Sequence, residues 1–282
     1  MSTVKIEDLS YYHGKDTPYE IKALDGVNLE VKKGMITGLI GHTGSGKSTL
    51  VQMFNGILRP HHGRVLLDGE DIWSKPKDIR KIRFRVGLVM QYPEYQLFEE
   101  TIYKDIAYGP KNMGLDESQI DARVREAAEF AGLDPSLLQK SPFDISGGQK
   151  RRAAIAGIIA MRPELLILDE PAAGLDPRGR DSIFKNITEY QRTTGSTVLI
   201  VSHSMEDMAR YCDRLIVMSD GKVVLNGDCR EVFSHADMLE NVGLDIPQIT
   251  KLMMMLKEKG IALDGAVYTV EEAFENIIKL YK

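Results

Sequence analysis

Nine residues, Gly41-His42-Thr43-Gly44-Ser45-Gly46-Lys47-Ser48-Thr49, constrain this chain more than any other stretch. They follow directly on the apolar run MITGLI (35–40) and lead into TLVQMFNGIL, so a buried strand passes through a glycine-rich turn into a helix. Gly41, Gly44 and Gly46 let the backbone curl until successive N–H groups face inward at phosphate oxygens, and the following helix adds its dipole. Lys47 then reaches the β- and γ-phosphates of a nucleotide, and the Ser48 hydroxyl can bind Mg²⁺. A glycine-rich turn that bound nothing would have no use for the Lys-Ser pair that closes it.

That strand has relatives elsewhere in the chain. VGLVM (86–90), ELLIL (164–168) and TVLIV (197–201) are also continuous apolar runs, as expected for strands buried on both faces of a parallel sheet. Helical patterns separate them, which is the order of βαβ architecture. The first third alternates instead: Val27, Leu29 and Val31 share one side of a strand, and Val65 and Leu67 begin another before the turn Asp68-Gly69. Between VGLVM and ELLIL lies a mainly helical insertion, with a helix predicted over 117–131 that buries Ile120, Val124, Ala127 and Ala131 and stops at Gly132. LIVMSDGKVVLNG (215–227) reads as a hairpin turning at Asp220-Gly221, and the pattern then changes. Pro247 opens a helix with Ile249, Leu252, Met253 and Leu256 on one stripe, ended by Gly260. Thr269-Val-Glu-Glu272 is a candidate capping box for a last helix carrying Phe274, Ile277 and Ile278. The expected fold is therefore α/β: a P-loop NTPase core of mostly parallel sheet with flanking helices, an antiparallel β subdomain, an inserted helical subdomain and a small C-terminal helical appendage. The expected boundaries are 1–230 for the nucleotide-binding domain, with its helical part at about 92–155, and 231–282 for the appendage.

Composition narrows the partners. A formal net charge of -5 argues against a general nucleic-acid binder. Cys212 and Cys229 make no disulfide framework and suit a reducing compartment. No signal peptide is expected from MSTVKIEDLS, and the longest apolar run, AAIAGIIAM (153–161), is far short of the ~20 residues that span a bilayer. If this chain works at a membrane, another subunit holds it there.

Three further segments carry chemistry. LLILDEP (165–171) is a buried strand ending in two acids; Asp169 can hold a Mg²⁺ shell and Glu170 can orient or deprotonate an attacking water, although a helix cap after a core strand would also place acids there. TVLIVSH (197–203) delivers His203 to the same sheet edge, where a histidine is either catalytic or structural. Gln91, just past VGLVM, either caps a turn or offers its amide oxygen to Mg²⁺ or water. ISGGQKRRAAIAG (145–157) poses a puzzle, because Lys150, Arg151 and Arg152 crowd the positive end of a helix dipole. Ser146 can cap, Gly147 and Gly148 bare the backbone, and a phosphate is the anion such a turn suits; three solvated charges partly offset by Asp144 are the alternative.

In order, these segments closely resemble the ATPase subunits of ABC transporters: GHTGSGKS as Walker A, Gln91 as the Q-loop, ISGGQ as the signature, LLILDE as Walker B, AGLD (173–176) as the D-loop with Asp176, and His203 as the switch histidine. QYPEYQLFEETIYKDIAYGP, DISGGQKRRAAIAG and DEPAAGLDPRGR are most similar to energy-coupling factor (ECF) transporter ATPases, nearer the second of their two paired components. The resemblance implies ATP and Mg²⁺ as cofactors, with Gly41 to Thr49 and Gln91 at the nucleotide, and with Ser48, Gln91 and Asp169 around the metal. It implies Glu170 and His203 as catalytic residues, and Ser146, Gly147, Gly148 and Gln149 meeting ATP held by the partner chain. That partner is a second, similar ATPase (a homodimer stays open), on the cytoplasmic face of a membrane beside an integral coupling subunit and a membrane subunit binding a vitamin or metal ion. Acidic Glu94, Glu99, Glu100 and Asp105 are expected to receive basic coupling helices. The appendage is expected to help pair the ATPases, its Met-rich stripe 249–256 serving either that interface or local packing. The family stacks adenine on an aromatic ring near the N-terminus; SYYHG puts His13 at that position, with Tyr11 and Tyr12 as alternatives. A soluble ABC protein acting on ribosomes or DNA ends, and a small P-loop kinase, are the competing classes.

Overall fold

The computed structural model describes residues 2–261 and 267–279; residues 262–266 and 280–282 of the appendage lie outside them. Strands β1 (Ser2–His13) and β2 (Ile21–Lys32) open a four-stranded antiparallel sheet of order β2-β1-β4-β5, completed by β4 (His62–Leu67) and β5 (Glu70–Asp71). On β2, Leu24, Val27, Leu29 and Val31 are buried while the residues between them face outward, the alternation of a half-buried strand. Asp68 and Gly69 join β4 to β5 with positive φ at both positions, the backbone that a tight two-residue hairpin requires.

The second sheet has order β10-β9-β3-β8-β7-β6. Its members are β3 (Ile36–Gly41), β6 (Val86–Val89), β7 (Leu165–Asp169), β8 (Thr197–Val201), β9 (Arg214–Ser219) and β10 (Lys222–Asp228). All run parallel except β10, which returns antiparallel to β9 through Asp220-Gly221. The continuous apolar runs follow from this position. Ile36, Ile40, Leu166, Leu168, Val198 and Ile200 face one core, and Leu39, Leu165, Ile167, Leu199 and Val201 face the other. Both sides of each strand are thus removed from water, which leaves no polar alternation to read.

Helices α1 (Lys47–Phe54) and α2 (Ile79–Arg85) precede the insertion, whose helices α3 (Ile102–Asn112), α4 (Glu117–Phe130) and α5 (Gly147–Ile159) pack on one another. In α4, Ile120, Val124 and Ala127 are buried, Asp116 and Gln119 form a reciprocal capping box, and Gly132 follows with φ +64°. Helices α6 (Pro177–Thr194) and α7 (Met205–Tyr211) flank the parallel sheet. After β10, α8 (Cys229–Ser234) and α9 (Ala236–Asn241) send Val232, Phe233 and Leu239 into the larger core. Helices α10 (Gln248–Glu258) and α11 (Val270–Lys279) instead share a separate small cluster of Met253, Val267 and Ala273.

The stripe expected on α10 is only half used. Met253 is buried and Ile249 and Leu256 are partly covered, but Leu252 is 46% exposed, because a single neighbouring helix covers a narrower face than the stripe presents. On α11, the Thr269 hydroxyl caps the Glu272 N–H at 3.2 Å, while the Glu272 carboxylate takes the N–H of Tyr268 rather than that of Thr269. The reciprocal half of the expected capping box is displaced by one residue.

Candidate nucleotide site

Parallel strands deliver their carboxyl ends to one edge, and the expected residues meet there. β3 ends at Gly41, β7 at Asp169, β8 just before Ser202 and His203, and β6 just before Met90 and Gln91. The loop from Gly41 to Gly46 is shaped by steric necessity. A Cβ at Gly46, whose φ is +100°, would lie 2.6 Å from the Ala23 carbonyl oxygen, and one at Gly41 would lie 2.4 Å from that of Met218. The β9–β10 turn braces the loop, since the Gly221 N–H donates to the Ser45 carbonyl at 3.1 Å and Ser219 Oγ lies 3.4 Å from His42 Nε2. Lys47 Nζ donates to the carbonyls of Gly41 (2.7 Å) and His42 (2.9 Å), folding the ammonium over the loop. Burial lowers the Lys47 pKa, and the nearby Glu170 and Asp169 carboxylates pull it back up.

Asp169 is held in the opposite sense. Burial raises its pKa and the Glu170 charge adds to the rise, while Lys47 and a hydrogen bond from the Ser48 hydroxyl oppose it. Asp169, its charge raised in energy by burial and by the neighbouring Glu170 carboxylate, faces a single ammonium, so the site is short of positive charge. That is the donor chemistry of a divalent-cation site, built from Ser48 and Asp169. Glu170 has φ +50°, a left-handed backbone that costs a non-glycine residue about 1–3 kcal/mol, and its N–H still donates to Val201 at 2.9 Å. Its Oε1 lies 2.8 Å from His203 Nδ1, with the carboxylate largely buried and the imidazole exposed. Gln91 is exposed and precedes Tyr92, another left-handed residue at φ +55°. Of the three rings considered for the base, His13 has a contact with the end of the loop: its Nε2 lies 3.1 Å from the Thr49 hydroxyl. Tyr11 packs edge-on to His13 with centroids 5.1 Å apart, and Tyr12 lies beneath the Lys22 ammonium.

The signature segment is a helix start of known type. Ser146 Oγ accepts the Gln149 N–H at 3.3 Å, and Gln149 Oε1 accepts the Ser146 N–H at 2.9 Å. The Gln149 side chain is thereby spent on the cap, a reciprocal box that the spacing S-x-x-Q signals and that the phosphate reading passed over. Gly147 has no atom within 4 Å of where a Cβ would stand, and Gly148 only Leu175 at 3.9 Å; neither has positive φ. Nothing inside the chain therefore requires glycine at either position.

The basic turn resolves differently from the expectation that a phosphate balances it. Arg151 is 3% exposed, and its Nε and Nη2 bind Glu94 at 3.0 and 2.8 Å while Nη1 donates to the Ala173 carbonyl. Arg152 donates to the Ala131 carbonyl and to Ser182 Oγ, and the Lys150 ammonium stands 5.8 Å over the Phe143 ring. The principal anion is a carboxylate of the same chain, 57 residues away in sequence. This also corrects the docking role expected of two of the four acidic residues, Glu94 and Asp105. Glu94 is consumed by Arg151, and Asp105 is buried, accepting the N–H groups of Phe98 and Glu99, its pKa raised by that burial. Glu100, 81% exposed in a surface pair with Lys104, keeps its expected role as a proposal, as does Glu99. Asp176 caps α6, accepting the Gly179 N–H at 2.7 Å.

A strand-loop-helix phosphate cradle, two acids and a histidine at one sheet edge, and an inserted helical layer with a capped glycine start define an ATP-binding cassette. The chain belongs to the ABC transporter family, which it matches over residues 24–173. As a member it is an ATPase whose hydrolysis is coupled to transport. Among its relatives, the energy-coupling factor transporter ATP-binding protein EcfA2 of Clostridium tetani is 52% identical over 99% of this chain and 97% of the relative. The EcfA2 of Caldanaerobacter subterraneus is 50% identical over 98% and 96%. Of solved structures, cbiO1 from Clostridium perfringens, described as part of the ABC transporter complex cbiONQ, superposes with TM-score 0.76 at 42% identity, covering 90% of this chain and 99% of that one. The ATP-binding cassette MJ0796, in a dimeric post-hydrolysis state bound to ADP and Pi, has TM-score 0.72 at 27% identity over 80% and 99%.

Proposed function

We propose that this chain is one ATPase of an ECF-type importer for a vitamin or transition-metal ion, and that it forms half of each of two composite ATP sites. The observation that carries the second part is the open space at Gly147 and Gly148. Two glycines at a helix start that no internal contact requires leave room for something outside the chain to approach the bare backbone. A helix N-terminus so exposed suits the γ-phosphate of ATP held on the partner's loop. The full-length likeness to EcfA2 proteins supports the importer class and a partner that is a second, similar ATPase.

On its own loop, the backbone of residues 41–49 and Lys47 hold the phosphates, and the His13 ring is the platform for adenine. Ser48, Asp169 and Gln91 would hold Mg²⁺, which when bound neutralises charge on the β- and γ-phosphate oxygens. Glu170 takes the proton of the attacking water, and His203, within hydrogen-bond reach of it, orients that carboxylate. The division expected at residue 230 is proposed instead near residue 247, because α8, α9, Leu244 and Ile246 pack into the larger core and only α10 and α11, with their own small cluster, are left as the pairing element.

A groove of about 530 Å³ between α2, α3 and α5, lined by Arg80, Arg83, Phe84, Phe98, Tyr108 and Met161, is the seat for a helix of the membrane coupling subunit. The chain attaches at the cytoplasmic face through that subunit, a reading that the likeness to ECF ATP-binding proteins supports; among the described residues no helix is long and apolar enough to cross a membrane.

Isolation of the tagged chain from a native membrane extract tests this reading. Co-purification of an integral membrane subunit together with a second cassette is expected. Sedimentation with ribosomes, and no membrane subunit, would overturn it.

A further inference from the structure

The Arg151 guanidinium joins three segments that are far apart in sequence. Through Glu94 it holds the turn 93–96 that follows Gln91, through its own backbone it belongs to the signature helix, and through the Ala173 carbonyl it holds the strand exit between Glu170 and Asp176. The pair is almost dry, with side-chain exposures of 4% and 15%. A planar fork with both arms on one carboxylate fixes direction as well as distance, which a single ammonium cannot do. The turn it grips begins at the left-handed Tyr92 and continues into Gln96, Leu97 and Phe98, which line the groove beside α3. Whatever occupies the groove therefore bears on the segment that Arg151 ties to the other two.

We propose that Arg151 is a positioning residue that makes the turn after Gln91, the signature serine and the exit from Glu170 move as one body. Seating of a helix in the groove sets Ser146 toward the partner's nucleotide and the Ala173 segment beside this chain's own in the same displacement. Removing the fork leaves the nucleotide loop intact but lets the three segments drift independently.

What pushes the turn rests on the importer reading; the linkage itself does not, and the two fail separately. The linkage is tested in the isolated full chain with Cys212 and Cys229 replaced by alanine and nitroxide labels at Tyr95→Cys and Phe143→Cys, both sites more than four-fifths exposed. The unsubstituted fork is expected to give one narrow distance. Arg151→Lys, which keeps charge and loses the fork, is expected to broaden that distribution while ATP affinity on the chain's own loop stays within about twofold. In the assembled complex the same variant is expected to lower kcat about tenfold with KM for ATP unchanged, the pattern of misplaced groups rather than lost binding. Glu94→Gln, which keeps shape and one hydrogen bond, is expected to lie between. An unchanged distance distribution in Arg151→Lys, or in Glu94→Gln where the first does not fold, overturns the linkage; so does a loss of kcat that tracks a raised ATP dissociation constant.

Discussion

Glycine at the first two positions of α5 gives up backbone order that alanine would supply, and no neighbour or positive φ demands it. Gly147→Ala is therefore expected to stabilise the chain by about 0.4–1 kcal/mol. It places a methyl where the partner's phosphate must come, so turnover of the assembled complex should drop about 100-fold with own-loop ATP affinity unchanged. Thermal unfolding and steady-state hydrolysis check both halves; unaltered turnover would remove the trans role of this position. Asp169 is the converse case, a residue that function keeps at a cost. Its pKa is raised by burial and by Glu170 above the ordinary 3.8, so the folded state binds that proton more readily than the unfolded one. Its ionisation favours unfolding, a penalty that grows as pH climbs from 3.8 through the raised value and is complete at neutrality. Asp169→Asn is expected to raise the unfolding temperature of the nucleotide-free chain at pH 7, the gain shrinking toward pH 4, and to abolish the added stability from Mg²⁺-ATP. A lower unfolding temperature at pH 7 would contradict the sign.

At the scale of elements, legibility followed locality. β3, β7 and β8 were readable because burial on two faces leaves an uninterrupted apolar run, and the hairpin turns were readable because Asp68-Gly69 and Asp220-Gly221 demand positive φ. The phosphate loop was readable for the same reason, its glycines, lysine and serine lying within nine consecutive residues. Arg151 was not. Its partner lies 57 residues away on another element, and a cation at a helix start looks alike whether it meets phosphate, water or a buried carboxylate. The left-handed backbone of Glu170 and Tyr92 was equally silent, since neither residue type favours it. α10 and α11 lie between these extremes: their periodicity showed amphipathic helices but not which part of each apolar face is covered. Met255 is 56% and Phe274 65% exposed, too much apolar surface for a helix pair with so small a core of its own. Phe274→Glu and Met255→Glu are each expected to change chain stability by less than about 0.5 kcal/mol, as surface substitutions do. Both should weaken association with the second ATPase at least tenfold in sedimentation equilibrium. Undiminished association would assign pairing to another surface.

For the molecule as a whole, the composite site separates two residues that a single-chain catalyst would need together. Glu170 serves the nucleotide on this chain's own loop, whereas Ser146 serves the nucleotide on the partner's. Ser146→Arg removes an N-cap, a cost of about 1 kcal/mol, and drives a bulky cation into the space above Gly147. It is expected to leave ATP affinity at the own loop unchanged and to stop hydrolysis at the partner's loop. Glu170→Gln is expected to do the reverse: ATP binds, hydrolysis at the own loop ceases, and the closed dimer accumulates because nothing reopens it. Combined in one chain, the two substitutions silence both sites, while either alone leaves the opposite site chemically complete. Single-turnover hydrolysis in complexes whose two loops are loaded with distinguishable nucleotides reads each site by itself. Collapse of own-loop affinity in Ser146→Arg would place the signature in this chain's own site and end the half-catalyst reading.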